Sequence, residues 1–337
     1  MAGKPLVEND AGSYLAWSGK EVAGEKLGCG VLVLKPLGFA LPHYADSGKF
    51  GYVLGGSAVV GVLTVGVHAE EKVARLVSGD VIAVRAGEVS WWYNDAEEDG
   101  DDVTIVFMGD TSGAVSPGDI TYFLLAGTNS VLGSLDAALL AAAASSSTSP
   151  EQANGAFRSQ PATLLTRLRR GVVVVRPREH DRHGLVVNAG AAGASGETRT
   201  VITAAQLPAL GEIGISVGIT RVDEAGGVVG PWVVRDGASQ AVYVARGSGR
   251  IQVAGAGGAT TLVDEDVAAG GMIVVPRYAV ALVGAGAGGM ELVSLIKSPR
   301  AEVEHFTGKG SVLGGLSPEI VEAALNVSTE LVEKLRK

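Results

Sequence analysis

The chain has 337 residues, 47% of them hydrophobic, with 49 glycines, a formal net charge of -9 and a pI near 5.1. That length holds two domains with sizeable cores. No unbroken run of 18 apolar residues offers a membrane span, and the acidic balance excludes nucleic acid as a general partner. The single cysteine, Cys29, excludes an intrachain disulfide, and Met1–Asp10 lacks the apolar core of a signal peptide, so a reducing, cytoplasmic location is expected.

Residues 1–26 read as an N-terminal arm anchored by Tyr14 and Trp17. From Leu27 onward short β-branched runs dominate: Leu27–Leu34, Gly51–Gly55, Val59–Val65, Lys72–Val77, Val81–Val84 and Val103–Met108. Many short strands without helices between them predict a sandwich or barrel. Cys29, inside an apolar run, reads as a buried small hydrophobe rather than a reactive thiol. The carboxylate run Glu97–Asp102 reads as a solvated loop rather than a calcium site.

The character changes at Leu135. Asp136–Ala144 is strongly helix-forming, Ser145–Pro150 reads as a linker, and Pro161–Arg170 reads as a second short helix. Leu164, Leu165 and Leu168 fall on one side of it, and Arg167, Arg169 and Arg170 sit against its dipole. Strands are predicted again at Gly214–Val222, Ala241–Ala245, Arg250–Val253, Met272–Val275 and Met290–Ile296. The glycine- and alanine-rich stretches Ala254–Ala259 and Gly284–Gly289 read as loops between strands. Pro318 opens a last pair of helices, each with a serine cap, Ser317 and Ser328.

The chain also repeats itself. Tyr52-Val-Leu-Gly-Gly-Ser-Ala-Val-Val-Gly-Val62 returns 191 residues later as Tyr243-Val-Ala-Arg-Gly-Ser-Gly-Arg-Ile-Gln-Val253, each reading as a β-hairpin around a Gly-Ser turn. Gly79–Arg85 and Gly270–Pro276 keep that offset, and Ser130–Leu135 returns as Ser311–Leu316.

Four places resemble the cupins, specifically the two-domain legumin-type 11S seed storage globulins of plants. They are Leu41-Pro-His-Tyr44 ahead of Tyr52-Val-Leu; Gly79–Gly87 continuing to Trp92-Tyr-Asn-Asp95; Gly247-Ser-Gly-Arg-Ile-Gln-Val253; and Gly310–Glu319 followed by Ala324–Ser328. The resemblance implies an all-β fold with helical arms: two cupin (jelly-roll) β-barrels in tandem, each followed by a short helical pair. It implies residues 1–144 as the N-terminal barrel with its first helix, 145–170 as a Ser-rich linker with a second helix, and 171–337 as the C-terminal barrel with its arm. It further implies a homotrimer clasped by the arms, paired in the storage globulins into hexamers after cleavage at an Asn-Gly. Here that place reads His183-Gly184, so an unprocessed, non-enzymatic, nutrient-reservoir-like relative is expected, the alternatives being a small-molecule-binding cupin or a cupin enzyme (isomerase or oxygenase) with an atypical metal site.

Metal-dependent cupins use two histidines and a glutamate on the first motif and a histidine on the second. Here those positions read His43, Ala45, Gly48 or Lys49, and Ser90, and the second repeat has no histidine in either motif, so no metal and no cofactor is expected. Glu179-His-Asp-Arg-His183 reads as a surface loop, and His68 and His305 stand apart from any motif. The barrel mouth is expected to carry His43, Tyr44, Tyr52, Ser90, Trp92 and Tyr93. These either fill the barrel or bind a small organic ligand.

Overall fold

The computed structural model describes residues 3–64, 70–144, 147–172, 175–192, 199–222, 226–255, 261–308 and 310–336. His68, Val65, Ser145 and most of Ala254–Ala259 lie outside the described residues. Contacts gather the chain into two compact units: residues 3–192 with 204–213, and residues 199–203 with 214–336.

The first unit opens with β1 (Lys4–Asn9) and β2 (Gly12–Trp17), then α1 (Lys20–Glu25) and β3 (Leu27–Leu34). The expected arm is therefore two strands and a helix: β2 pairs with β3 along Gly12–Trp17, which carries Tyr14 and Trp17 into the sheet. Next come β4 (Gly38–Ala45), β5 (Gly48–Gly55), β6 (Ser57–Thr64), β7 (Glu70–Val77), β8 (Asp80–Val84), β9 (Val89–Tyr93), β10 (Val103–Asp110) and β11 (Tyr122–Leu124). After α2 (Ala137–Ala144) and α3 (Pro150–Phe157) follow β12 (Leu165–Arg167), β13 (Val186–Asn188), α4 (Ala189–Ala192) and, later, α5 (Pro208–Ile213). One sheet runs β1-β2-β3-β10-β5-β8-β13 and the other β11-β4-β9-β6-β7, with β12 against β4; every pairing is antiparallel. Leu32, Val53, Val60, Ile82, Trp92, Ile105 and Phe107 fill the space between these sheets, and none is more than 3% exposed.

The second unit holds β14 (Arg199–Ile202), β15 (Ser216–Val222), β16 (Val228–Val234), β17 (Gln240–Ala254), β18 (Thr261–Ala268), β19 (Met272–Val275), β20 (Val280–Ile296) and β21 (Val303–His305). It ends in α6 (Val312–Gly315), α7 (Pro318–Leu325) and α8 (Thr329–Arg336). The order is β14-β15-β20-β16-β21, with β17 pairing β18, β19 and β20 around a core of Trp232, Val244, Val253, Val283 and Leu292.

The Gly-Ser hairpins predicted at Tyr52–Val62 and Tyr243–Val253 are corners instead. β5 pairs with β8 and β10, and β6 pairs with β7 and β9, so Gly56 carries the chain from one sheet to the other. In the second unit β17 turns the same corner without a break, at Gly247. Both glycines have left-handed backbones, φ +79° and +77°, and a Cβ would come within 2.4 Å of Asp102 O and 2.1 Å of Gly289 O. No side chain fits there. The next repeat is equally faithful: Gly79 N–H donates to Val53 O and Gly270 N–H to Val244 O, both at 2.9 Å.

Three further expectations are corrected. Gly284–Gly289 lies inside the 17-residue strand β20 rather than in a loop. Pro161–Arg170 is not helical: Leu165–Arg167 pairs with Ala40–Gly38 at the free edge of β4, and Arg170 and Arg167 reach Glu97 and Glu98 of the acidic loop. The second helix comes earlier, at α3, where Ser149 and Gln152 form a reciprocal capping box and Pro150 opens the helix. Ser317 stands at the N-cap of α7 without a side-chain hydrogen bond.

Each unit carries a helical arm, α2 and α3 in the first and α6–α8 in the second, fixed by one device. Ser130 Oγ accepts from Gly133 N–H at 2.8 Å, and Ser311 Oγ from Gly314 N–H at 3.1 Å. Arg158 and Arg336, just past or at the end of the last helix of each arm, fold back to donate to Gly133 O and Gly314 O, both at 2.7 Å.

Candidate functional site

The centre of the first barrel is built by a bulge. Alternation along β4 would send Ala40 and His43 to opposite faces, but the register against β9 slips between them. Pro42, which has no N–H for the ladder, sits at the slip and its carbonyl accepts from Leu125 N–H. Both Ala40 and His43 then face inward. On β9 the even positions Ser90 and Trp92 face the same space; Ser90 stands opposite His43, and Trp92 Nε1 donates to Ser90 Oγ at 3.3 Å. Trp92 meets Phe107 edge-to-face at 4.9 Å.

Lys49 completes the centre, and sequence reasoning missed it as a site residue. It lies on β5 on the same face as Val53 and is 2% exposed. Its Nζ lies 5.1 Å from the centroid of the Tyr122 ring. Tyr122 also packs edge-to-face against His43 and Tyr14, and the Tyr14 and Tyr122 hydroxyls share a 2.5 Å hydrogen bond. Tyr14, His43, Lys49, Trp92, Phe107 and Tyr122 line a small cavity with room, about 10 Å³, for one water molecule at most.

Burial sets the protonation here. His43 is lowered to about 3, first by desolvation and then by Lys49. Its Nδ1 lies 2.7 Å from Leu41 O, which can only accept, so Nδ1 carries the proton and Nε2 is the acceptor. Desolvation lowers Lys49 to about 8 against the opposing pull of Asp46 and Glu88. Tyr14 and Tyr122 are both pushed above the usual phenol range by burial.

Of the six expected site residues, the structure brings together His43, Ser90 and Trp92. Tyr44, Tyr52 and Tyr93 are neighbours in sequence of inward-facing residues and so point the other way. Tyr44 stacks on Phe123 at 4.9 Å, Tyr93 joins Trp91, Val59 and Val73 in a cluster outside the barrel, and Tyr52 takes the face of β5 opposite Lys49 and Val53. Among the described residues no group of three or more His, Cys, Asp or Glu is placed to hold a metal ion. The groups that surround His43 are an ammonium, a hydroxyl, phenols and an indole, and that donor set does not suit a divalent cation. His180, exposed, reaches Asp181 in a short 3-10 turn, Glu179–Arg182.

The second barrel has the same frame with different contents. Val229 and Trp232 flank an equivalent slip in β16, with Pro231 at it, following a cis Gly230–Pro231 bond. Trp232 thus takes the place of His43, Ala281 that of Ser90, Val283 that of Trp92 and Gln240 that of Lys49. Trp232 Nε1 donates to Gln240 Oε1 at 3.4 Å, and the Arg199 guanidinium, in the place of Tyr14, lies 4.1 Å above the Trp232 ring. Burial and the Arg199 charge lower His305.

A family model described as Cupin matches residues 2–152 and 192–333. The chain is similar to the 13S globulin seed storage protein of Fagopyrum tataricum, 36% identical over 110 residues, which are 32% of this chain and 21% of that protein. It is similar to Cocosin 1 of Cocos nucifera, 24% identical over 368 residues, covering 90% of this chain and 77% of that one. The crystal structure of the coconut allergen cocosin superposes with a TM-score of 0.87 at 25% identity, over 100% of this chain and 95% of that chain.

Proposed function

The chain belongs to the cupin family, in the two-barrel form of the legumin-type globulins, and on that premise we propose that it is a non-enzymatic, storage-globulin-like protein that associates with copies of itself through its helical arms. The observation that carries this reading is the surface of those arms. Leu135 and Leu139 on the first, and Ile320, Leu325 and Leu331 on the second, are 42–74% exposed. A monomer gains nothing from presenting large apolar side chains on segments held so firmly by the Ser-Arg clasp; a partner that covers them does. Each chain carries two different arms, so a contact of one arm with the other arm of the next copy is heterologous, the kind of contact that builds rings when its rotation closes. The trimer is the ring we favour. The storage role rests on the relatives' names, and the non-enzymatic part rests on the donor set around His43. Among the described residues no helix is long and apolar enough to cross a membrane.

Light scattering on the purified chain tests assembly. Three times the chain mass of 34.2 kDa is expected, and Leu139→Glu with Ile320→Glu should reduce it to one. A monomeric wild type, or a double variant of unchanged mass, overturns the reading. Transition metal bound near one per barrel in chelator-free protein would overturn the non-enzymatic part and make His43 the residue to substitute.

A further inference from the structure

β7 ends its sheet in the first barrel, pairing with β6 on one side only. Its other side is closed by the segment that precedes β13. Val73 N–H donates to Asp181 Oδ2 at 2.8 Å, and Val73 O accepts from Arg178 N–H at 2.9 Å. Glu71 O accepts from Arg178 Nη2 at 2.7 Å, and Arg75 O accepts from Arg182 Nη1. In the second barrel the equivalent strand is β18, since Ser248 pairs with Ala268 as Ser57 pairs with Val77. Asp264 and Asp266 thus stand where Val73 and Arg75 do, and their N–H and C=O groups point away from β17. Among the described residues no hydrogen bond reaches those backbone groups, and Asp264, Glu265 and Asp266 are all exposed. An uncovered strand edge is a template for a further strand.

We propose that the open edge of β18 docks an extended segment of a partner protein with arginine or lysine at alternate positions, which adds one strand to the second barrel. The charge of the edge selects that chemistry. Asp264 is held by Arg250 and Gln252 across the sheet. Three consecutive carboxylates, Asp264, Glu265 and Asp266, therefore stand against one described guanidinium, that of Arg250. A second copy of β18 set edge to edge would place carboxylate opposite carboxylate, which opposes pairing. The first barrel shows what such an edge accepts, because Arg178 and Arg182 bring guanidinium donors to the carbonyls of β7. Alternation gives the added strand two faces. Its cations lie beside Asp264 and Asp266, and its other side chains lie beside Val263 and Val267, which are partly buried against the core. The ladder supplies affinity and the alternate side chains supply selectivity.

Fluorescence anisotropy of a labelled seven-residue peptide of alternating arginine and valine, titrated with the intact chain at low salt, tests this. Saturable binding is expected. An analogue N-methylated at alternate residues keeps the charge and loses the ladder, and should not bind; nor should a peptide with glutamate in place of arginine. Asp264→Pro removes one outward N–H and leaves the pairing with β17, since proline is tolerated at such edge positions. It should weaken binding about ten-fold. Glu265→Lys with Asp266→Lys should reverse the preference toward the glutamate peptide. No saturable binding at millimolar peptide, equal binding of the N-methylated analogue, equal binding by Asp264→Pro, or an unreversed preference in the lysine variant overturns the proposal. A fall in assembly mass on light scattering of Asp264→Pro also overturns it, by giving the edge to a second copy. Should Asp264→Pro fail to fold, the lysine variant and the N-methylated analogue decide.

Discussion

The two barrels agree wherever the backbone is constrained and differ wherever only volume must be filled. Gly56 and Gly247 turn the same corner, Gly79 and Gly270 make the same hydrogen bond, and Pro42 and Pro231 sit at the same slip. Yet behind those positions the first barrel holds imidazole, ammonium and phenols, and the second holds indole, amide and guanidinium. A corner with φ near +78° and a carbonyl 2 Å from a would-be Cβ accepts one residue type; a barrel centre accepts any set of side chains that packs and satisfies its polar atoms. The chemistry of each barrel is thus free to differ while the frame is held.

Acid should break the symmetry most. The folded state keeps His43 neutral to about pH 3, whereas the unfolded chain takes up that proton below about pH 6.5. Stability is therefore lost as pH falls from 6.5 toward 3, by about 4 kcal/mol. His43→Phe should remove that part of the acid sensitivity, read as the wild-type-minus-variant difference in urea unfolding at pH 7, 5 and 4. A difference that does not change with pH refutes the assignment.

The corners should be equal. Gly56→Ala and Gly247→Ala should each cost about 3 kcal/mol, since both combine a left-handed backbone with a backbone clash. Gly87→Ala, at φ +79° but with open space around it, should cost about 1 kcal/mol. Denaturant midpoints check this, and a Gly56→Ala no worse than Gly87→Ala would mean that the corner yields.

Lys49 and Gln240 should respond with opposite signs. In the folded chain Lys49 loses its proton near pH 8, in the unfolded chain near 10.4, so its charge penalises folding below 8 and the penalty fades between 8 and 10.4. Lys49→Met should then stabilise the protein by about 3 kcal/mol at pH 7 and by nothing above pH 10.5. Gln240→Met breaks a bond to Trp232 and should cost about 1 kcal/mol at either pH. The smallest effect is shared: Ser130→Ala and Ser311→Ala should each cost about 1 kcal/mol by unhooking a turn at the base of an arm.

The sequence shows its strands where β-branched runs are buried on both faces. Leu27–Leu34 and Met272–Val275 appear with the predicted bounds. It hides the corners, because a Gly-Ser turn looks alike locally whether the next strand folds back on its neighbour or joins the facing sheet; only the pairing of β5 with β8 and β10 decides. Leu164, Leu165 and Leu168 have helical spacing, but the free edge of β4 captured that segment as a strand. The capping box at Ser149–Gln152 was present in the sequence and obscured by the serine run before it. His43 is legible from its Pro-His motif. Lys49 is not, because a lysine ahead of a strand reads as solvated; its parity with Val53 along β5 is the signal that places it inside. The same parity separates Tyr52 from Val53, and Tyr93 from Trp92.

The corner has a kinetic consequence in both barrels. β17 and β20 pair at 13 positions, from Gln240–Ile296 to Ala254–Val280, in runs set apart by register shifts after Val244 and after Gly247, and the first barrel divides the equivalent pairing into seven pairs of β5 with β10 and five of β6 with β9. A break in register lets the strip on one side open without the other. In deuterium oxide, Val242–Val244 and Ile251–Val253 should therefore exchange at two different rates, as should Tyr52–Val53 and Val60–Val62.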